Sequence, residues 1–295
     1  MLKLTPQLKR QLDKKSSVEQ LLTLNQHKIR LGLNRVNKVI KKLKINQKPE
    51  IKYLTVNGTS AKNSIIQIFK SILIQHKQRY AATYSPHIFS VVERFEHNKK
   101  FIKLALLKKI LLEVHKQKNL THFEKLTIAF GLFIKNLKLD WVLGEYGLFG
   151  RKDCLRALFP KPNLHIITPI SFDHLNWTKT KKMDLKTLKE IVYEKTSFLR
   201  SKLYISKQTP LVLSLIKKNI KKNKNPKIIY GEDFRLIKKN RKYFYRDKIH
   251  KFQIKSNLLG DHMYENATVA IRIALDLKIP LKTIEIGLKK IEILG

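Results

Sequence analysis

The segment GTSAKNS, residues 58–64, has the residue types of a phosphate-binding loop. It follows the apolar segment 51–56 and precedes the amphipathic segment 65–77, so we expect it between a strand and a helix. Backbone N–H groups at a helix N-terminus favour a triphosphate, Lys62 can neutralise its charge, and the Ser64 hydroxyl can coordinate magnesium. Because the full Gly-x-x-x-x-Gly-Lys-Ser/Thr pattern is missing, an ordinary strand-to-helix turn with an exposed lysine is an equal alternative at this point.

Two further side chains suited to metal binding follow later apolar segments. Glu145 lies in the strand-like segment 141–146, and His174 comes shortly after the segment 164–171. In a parallel sheet the carboxyl ends of the strands meet at one edge, where ligands of such sheets bind. Each residue also has a simpler explanation: Glu145 as a solvated acid at a strand end, and His174, next to Asp173, as a capping or surface histidine.

The elements that must position these residues alternate between strands and helices. Strands are predicted at 51–56, 79–85, 141–146, 164–171, 203–206 and 226–231, and helices at 65–77, 101–118, from 120 onward, 184–200, 209–219, 262–277 and 281–292. This alternation predicts an α/β fold with a doubly wound, mostly parallel sheet. A small β meander is predicted near residues 233–255, and residues 1–50 are predicted to form an N-terminal helical segment of a single domain covering 1–295.

The composition limits the class of protein. The 295 residues are 43% hydrophobic, which is enough for a sizeable core, and the single cysteine, Cys154, excludes an intramolecular disulfide and a metal site built from several cysteines. The longest apolar stretch, Leu126 to Ile134, is about half of what crosses a bilayer, and no apolar segment follows the first basic residues. We therefore expect a cytoplasmic protein without a membrane partner.

The formal net charge of +40 raises nucleic acid as a partner, because clustered cations release phosphate counterions on binding. The basic residues are nevertheless spread along the whole length, and codons rich in A and T would produce the same excess of Lys, Ile and Asn. We therefore do not expect a dedicated nucleic-acid function, although a basic nucleic-acid-binding protein stays open as an alternative. A positive field would also attract nucleotides.

Eight segments in order resemble the folylpolyglutamate synthase/dihydrofolate synthase family, a branch of the Mur-ligase superfamily. For example, VNGTSAKNS is similar to the family's VAGTNGKGS, and LTHFEKLTIAF to its LTxFExxTxxAF. The segments are IRLGLNRVNKVIKKL (29–43), VNGTSAKNS (56–64), YSPHIFSVVERF (84–95), LTHFEKLTIAF (120–130), GEYGLFGRKD (144–153), ITPISFDHLNW (167–177), EKTSFL (194–199) and GDHMYENATVAI (260–271). They cover nearly the whole chain.

The resemblance implies a Mur-ligase-type ATP-binding domain and an ATP-dependent ligase. Such an enzyme phosphorylates a folate or dihydropteroate carboxylate with ATP and Mg²⁺, and the amine of L-glutamate then attacks the acyl phosphate. ATP would be bound by the matching residues Gly58, Thr59, Ser60, Ala61, Lys62, Asn63, Ser64 and Asn266. Magnesium would be held by Ser64, Glu145 and His174. Lys62 and His174 would serve catalysis, together with Lys195, which matches a lysine that the family carries as a carbamate.

The same resemblance places the pterin end of the substrate near a second group of residues. These are Ser85, His87, Thr121, Phe123, Glu124 and Asp153. Phe123 offers a stacking face, whereas Thr121 and Glu124 also have the spacing of a helix capping box. Asn266 is expected at a helix start, where it can also cap the helix. The family resemblance further implies a monomer.

The chain departs from the family pattern at three places. Ala61 and Asn63 replace two glycines of the phosphate loop, and a Cβ at a position with positive φ costs about 1 kcal/mol or more. Phe149 replaces a glycine of the turn after Glu145. After residue 290 the chain continues only as IEILG, where the family reads WPGRLE and enters a second domain. The resemblance therefore implies that the C-terminal ligase domain is absent from this chain.

Overall fold

The computed structural model describes Val18, Leu22 and residues 32–172 and 187–291. The predicted helical segment 1–50 lies largely outside this range. Of its described residues, Val18 and Leu22 are helical, and residues 32–50 contain helix α1 (Asn34–Lys42). His174 also lies outside the described residues. Among the described helices, none combines the length and the apolar character needed to cross a membrane.

A mostly parallel sheet forms the centre of the fold, as the sequence predicts. Its strands are β1 (Lys52–Asn57), β2 (Tyr80–Thr83), β3 (Glu96–His97), β4 (Lys100–Phe101), β5 (Trp141–Glu145), β6 (Leu164–Ile167), β7 (Lys202–Ile205) and β8 (Lys227–Ile229). Their order is β4-β3-β2-β5-β1-β6-β7-β8, and β3 and β4 are antiparallel to their neighbours. Because β1 lies between β5 and β6, the loop after β1 comes close to the ends of both neighbouring strands.

Helices cover both faces of this sheet. They are α2 (Lys62–Gln75), α3 (Leu104–His115), α4 (His122–Ile134), α5 (Leu155–Leu158), α6 (Leu188–Thr196), α7 (Pro210–Asn219), α8 (Asp261–Asp276) and α9 (Leu281–Lys289). One core lies beneath α2, α8 and α9, and a second lies beneath α1, α3, α4 and α5. The apolar stretch predicted to be too short for a membrane forms most of α4 and is largely buried.

Some elements differ from the prediction. The two-residue strands β3 and β4 are too short to produce a periodic pattern, and the single turn of α5 is equally hard to recognise. Strand β6 ends at Ile167 rather than at residue 171, because residues 168–171 leave the sheet and bind the loop after β1. The expected doubly wound α/β architecture is confirmed.

The predicted meander is a separate antiparallel sheet of three strands, β9 (Phe234–Lys239), β10 (Lys242–Asp247) and β11 (Lys251–Gln253). Tyr245 in the middle strand is completely buried and belongs to the core beneath α8. One face of the small sheet therefore packs on the domain, and the other face is directed away from it.

A buried polar chain joins the central strands below the phosphate loop. Thr55 of β1 lies opposite His165 of β6, and its hydroxyl is 2.6 Å from the His165 Nδ1. The Tyr146 hydroxyl also bonds to Thr55. Burial lowers the pKa of His165 to about 3, and its Nε2 has no hydrogen-bond partner in the described part of the chain. The folded protein therefore favours the neutral imidazole strongly.

This burial predicts a loss of stability in acid. An unfolded histidine takes up a proton near pH 6.5, whereas folded His165 resists protonation, so stability is lost as the pH falls from about 6.5 towards about 3. Between pH 6.5 and 4.5 we expect the free energy of unfolding of the wild type to fall by about 2–3 kcal/mol more than that of His165→Gln. Chemical denaturation at several pH values measures this, with the exposed His115→Gln as a control. Parallel pH profiles for wild type and His165→Gln would contradict the prediction.

Candidate active site

The phosphate-loop candidate begins with a very close approach between two strand ends. Gly58 has φ +152°, and a Cβ added there would collide with the Thr168 hydroxyl and lie 2.9 Å from the Thr168 carbonyl oxygen. The Gly58 N–H donates a hydrogen bond to the Asn57 Oδ1 at 2.8 Å. Only glycine fits this point, because both the backbone angle and the available space exclude a side chain.

Residues 168–171 clamp the loop after this approach. The Thr59 N–H donates to the Pro169 carbonyl at 2.9 Å, and the Thr168 hydroxyl donates to the Ser60 carbonyl at 2.6 Å. The Thr59 hydroxyl donates to the Ser171 carbonyl at 3.2 Å. The first half of the loop is therefore fixed by the segment after β6, and the N–H groups of the first turn of α2 are the ones available to an anion.

Gln208 supports this clamp from the other side, and sequence reasoning missed it. Its amide nitrogen donates to the Thr168 carbonyl at 2.9 Å, and its amide oxygen accepts the Ile170 N–H at 3.1 Å. A single glutamine between a strand and a helix forms no recognisable sequence motif. Its role follows only from the structure, in which the loop after β7 lies against the segment after β6.

Two non-glycine residues adopt positive φ where the family pattern has glycine. Ala61 has φ 65° and is the residue before α2, and Phe149 has φ 59° in the turn after β5. Each costs about 1–2 kcal/mol relative to glycine. Asn63 lies inside α2, where its side chain accepts a hydrogen bond from Gln67 at 3.1 Å. The strain predicted for Ala61 is thus present, and Asn63 carries none.

Lys62 and Glu145 meet beside the loop, as predicted. The Lys62 ammonium lies 3.7 Å from a Glu145 carboxylate oxygen and donates to the Thr59 carbonyl at 3.1 Å. Glu145 is buried at the end of β5 and accepts the Ser85 N–H at 3.4 Å. Burial raises the pKa of Glu145 to about 7, and the opposing effects of Lys62, the Ser85 N–H and Arg94 do not offset it. A further cation would stabilise the ionised carboxylate.

The donor set fits magnesium in its chemistry. Ser64 lies in the first turn of α2, and a hydroxyl and a carboxylate such as Glu145 are oxygen ligands that Mg²⁺ prefers. Within the described ranges, no group of three or more His, Cys, Asp or Glu side chains could hold a metal. The third predicted ligand, His174, lies outside those ranges.

Lys195 reaches the same loop from α6. It is buried, and its ammonium donates to the Gly58 carbonyl at 2.8 Å. Its backbone carbonyl accepts a hydrogen bond from Asn57 at 2.9 Å. Lys195 therefore lies at the phosphate loop, while its carbamate stays a prediction.

A cavity of about 180 Å³ opens on the other side of Glu145. Five of the six predicted pterin-site residues line it, namely Ser85, Thr121, Phe123, Glu124 and Asp153. Further lining residues include Thr83, Tyr84, Arg94, Thr127, Glu145, Leu148, Lys152 and Cys154. The cavity combines aromatic, cationic and carboxylate groups, which suits a flat polar ring.

Hydrogen bonds hold the polar wall of the cavity in place. Thr121 and Glu124 form the predicted capping box, and Arg35 of α1 adds an ion pair to Glu124 at 2.8 Å. The Arg94 guanidinium lies 5.7 Å from the centre of the Phe123 ring and donates to the His87 Nδ1 at 2.9 Å. His87 is thus linked to the cavity through Arg94. Arg35 and Arg94 were not predicted as site residues.

Asp153 has a structural role that the sequence did not predict. Its carboxylate accepts the N–H groups of Leu148 and Leu155, each at 2.8 Å, and so closes the turn after β5. Burial raises the pKa of Asp153 to about 6 despite these donors. Its contact with substrate stays a prediction.

Asn266 is not at a helix start. Helix α8 begins at Asp261 after Gly260, and Asn266 is buried in its second turn. Its amide nitrogen lies 3.9 Å from the Met263 sulfur. The capping explanation is therefore wrong, because the sixth helical residue cannot bond the free N–H groups of the first turn. Nucleotide contact by Asn266 stays a prediction.

The clamp by Gln208 predicts a measurable effect. In Gln208→Leu the Thr168 carbonyl and the Ile170 N–H lose their partner, so we expect the free energy of unfolding to fall by about 1–2 kcal/mol. Amide hydrogen exchange at Ile170, Thr59 and Ser60 should accelerate. The control is Gln78→Leu, since half-buried Gln78 makes a single long bond of 3.5 Å. Unchanged exchange at all three amides in Gln208→Leu would refute the clamp.

Comparisons with known proteins support the resemblance in the motifs. No protein-family model matches the chain. The dihydrofolate synthase/folylpolyglutamate synthase of Haemophilus influenzae is 29% identical over 174 residues, covering 58% of this chain and 38% of that protein. The enzyme of the same name from Bacillus subtilis is 26% identical over 262 residues, covering 82% of this chain and 59% of that protein. The matched part of the chain thus spans less than two thirds of the length of either curated relative.

A solved structure has the same fold. The bifunctional folylpolyglutamate synthase/dihydrofolate synthase of Yersinia pestis, complexed with AMPPNP and Mn ion, superposes with a TM-score of 0.80 at 22% identity. The match covers 95% of this chain and 67% of that chain. The chain is therefore similar in sequence to folylpolyglutamate synthases and dihydrofolate synthases and shares the fold of the solved one, in agreement with the resemblance of its motifs.

Proposed function

We propose that this chain carries the ATP-binding part of an ATP-dependent ligase that adds L-glutamate to folate or dihydropteroate. The observation that carries the proposal is the position of Glu145. Its carboxylate lies 3.7 Å from the Lys62 ammonium of the phosphate loop and also lines the cavity with the predicted pterin residues. A phosphoryl donor on the loop and an acceptor in the cavity would therefore meet at one point.

The loop supplies what the phosphoryl donor needs. Lys62 and the free N–H groups of the first turn of α2 are suited to the phosphates, and Lys195 fixes the Gly58 carbonyl beneath them. Ser64 and Glu145 would hold Mg²⁺, which neutralises phosphate charge when bound. The relatives support this assignment, because the Yersinia pestis structure carries AMPPNP with Mn.

The cavity supplies what the acceptor needs. Phe123 and the Arg94 guanidinium above its ring offer a stacking surface, and the polar wall with Thr121 and Glu124 offers hydrogen-bond partners. The acceptor carboxylate would attack the γ-phosphorus with departure of ADP. The amine of glutamate would then attack the acyl carbon with departure of phosphate, leaving an amide bond. We propose that the protein acts in the cytoplasm and, as the family resemblance implies, as a monomer.

A second candidate is a catalytically inactive relative that retains nucleotide binding. The strained Ala61 at φ 65° favours it, because the matching family loop has glycine at this close approach to phosphate. The two candidates share the loop and differ only in turnover.

The decisive experiment is ADP release from Mg-ATP with glutamate and either dihydropteroate or tetrahydrofolate. We expect release that needs all three substrates and falls by about 100-fold or more in Lys62→Ala, since Lys62 acts on developing phosphate charge. The control is Lys282→Ala, an exposed lysine on α9.

The outcomes separate the candidates. Absence of ADP release, together with thermal stabilisation of the wild type but not of Lys62→Ala by Mg-ATP, would exclude catalysis by this chain alone and leave a nucleotide-binding half or an inactive relative. Absence of both would remove the nucleotide assignment.

A further inference from the structure

The outward face of the small antiparallel sheet gathers positive charge in rows. Cross-strand pairing sets Arg235 opposite Arg246, and Arg246 opposite Lys251, so three cations lie side by side across β9, β10 and β11. Lys239 and Lys242 form a second pair at the other end of the face. All five side chains are exposed. We call these five residues the basic face.

The core on the opposite side fixes the direction of these side chains. Leu236, Tyr245 and Phe252 form the neighbouring row, and they pack on the core beneath α8. Because side chains alternate along a strand, the residues before and after them point away from the domain. The row between the two groups of cations consists of Ile237 and Phe244, next to Gln253 of the edge strand.

Composition alone does not explain this arrangement. Lys and Arg make up 62 of the 295 residues of the chain, but they occupy five of the eight paired positions on this face. The other three positions are Ile237, Phe244 and Gln253, so none of the eight is acidic. Within the described ranges, none of the five cations forms an ion pair. The nearby acids are used elsewhere: Asp233 accepts the Ile229 N–H at 2.7 Å, and Asp247 accepts the Tyr245 hydroxyl at 2.8 Å.

Like charges directly opposite one another destabilise a sheet. The pairs Arg235–Arg246 and Arg246–Lys251 therefore cost stability until an anion is shared between them. A single phosphate between two of these side chains would turn the repulsion into charge-assisted hydrogen bonds.

We propose that the basic face binds single-stranded nucleic acid. Two groups of cations can follow a phosphate backbone, and the half-buried Phe244 between them offers a ring on which a base can stack. Bases of a single strand are unpaired and free to stack on this ring, whereas those of a duplex are already stacked on one another, which favours a single strand over a duplex. This site shares no residue with the phosphate loop or the cavity, so it is independent of the proposed ligase.

Fluorescence anisotropy with a labelled oligothymidylate of about 12 nucleotides tests the proposal. We expect binding to the wild type that weakens steeply with salt, and affinity lower by at least about tenfold in the double variant Arg246→Glu/Lys251→Glu. The slope of log K against log salt should decrease in magnitude by about 1.4, because two phosphate contacts are lost. Phe244→Leu keeps an apolar side chain without the ring and should weaken binding by about fivefold or more.

The matched control is Lys221→Glu/Lys222→Glu, which makes the same change in charge at exposed positions after α7. We expect less than about a threefold effect from this control. An equal loss in both double variants would overturn the proposal, because the general positive field would then account for binding. Equal competition by poly-L-glutamate with no effect of Phe244→Leu would overturn it too, as would tighter binding of a duplex of the same length.

Folding of the variants is checked by circular dichroism and thermal unfolding. The neutral variant Arg246→Gln/Lys251→Gln removes the opposed charges without adding acids and should unfold at a temperature no lower than that of the wild type. It should also lose at least about fivefold in affinity. Wild-type affinity in this folded variant would contradict a role of the two cations.

Discussion

The close approach of Gly58 to Thr168 is the constraint on which the site depends. The ends of β1 and β6 come so near that no side chain fits at residue 58, and the Thr168 hydroxyl and Pro169 carbonyl bind the loop that follows. This contact directs the chain into α2 with Lys62 at its first position. The phosphate loop is therefore a product of sheet topology as much as of its own sequence.

Two lysines and one buried carboxylate surround this loop. Lys62 and Lys195 both donate to backbone carbonyls of the loop, and the buried Glu145 is the only carboxylate within ion-pair distance of Lys62 among the described residues. Burial keeps the pKa of Glu145 near 7, so the site has an acid that gains from an added cation. The same carboxylate borders the cavity and so connects the two halves of the site.

The sequence predicted the sheet, most of its helices and the loop because these leave strong local signals. Periodic apolar segments marked the main strands, and the motif of small residues marked residues 58–64. The sequence did not reveal Gln208, Arg94 or the Thr55–His165 pair, because each acts on a partner far away in the chain. The predicted helix 262–277 differs by one residue from the observed Asp261–Asp276, so the error lay in treating Asn266, its sixth residue, as a helix start.

The basic face illustrates the same limit. Along the chain its cations look evenly dispersed, and only the strand register shows that they lie opposite one another. The net charge of the chain thus indicates little about its partners. The arrangement of cations on one surface indicates more. In the sequence, Ala61 and Phe149 show only that a glycine of the family pattern is replaced. The structure shows that both residues have positive φ and are therefore strained.

The central claim is that residues 58–64 bind phosphate groups. Titration calorimetry of the wild type with ATP, ADP and AMP in the presence of Mg²⁺ tests it most directly. Each charge-assisted hydrogen bond to a charged group contributes about 1.5–3 kcal/mol, so ATP should bind at least about tenfold more tightly than AMP, with ADP between them. Equal affinity for all three nucleotides, or binding of none, would contradict the account.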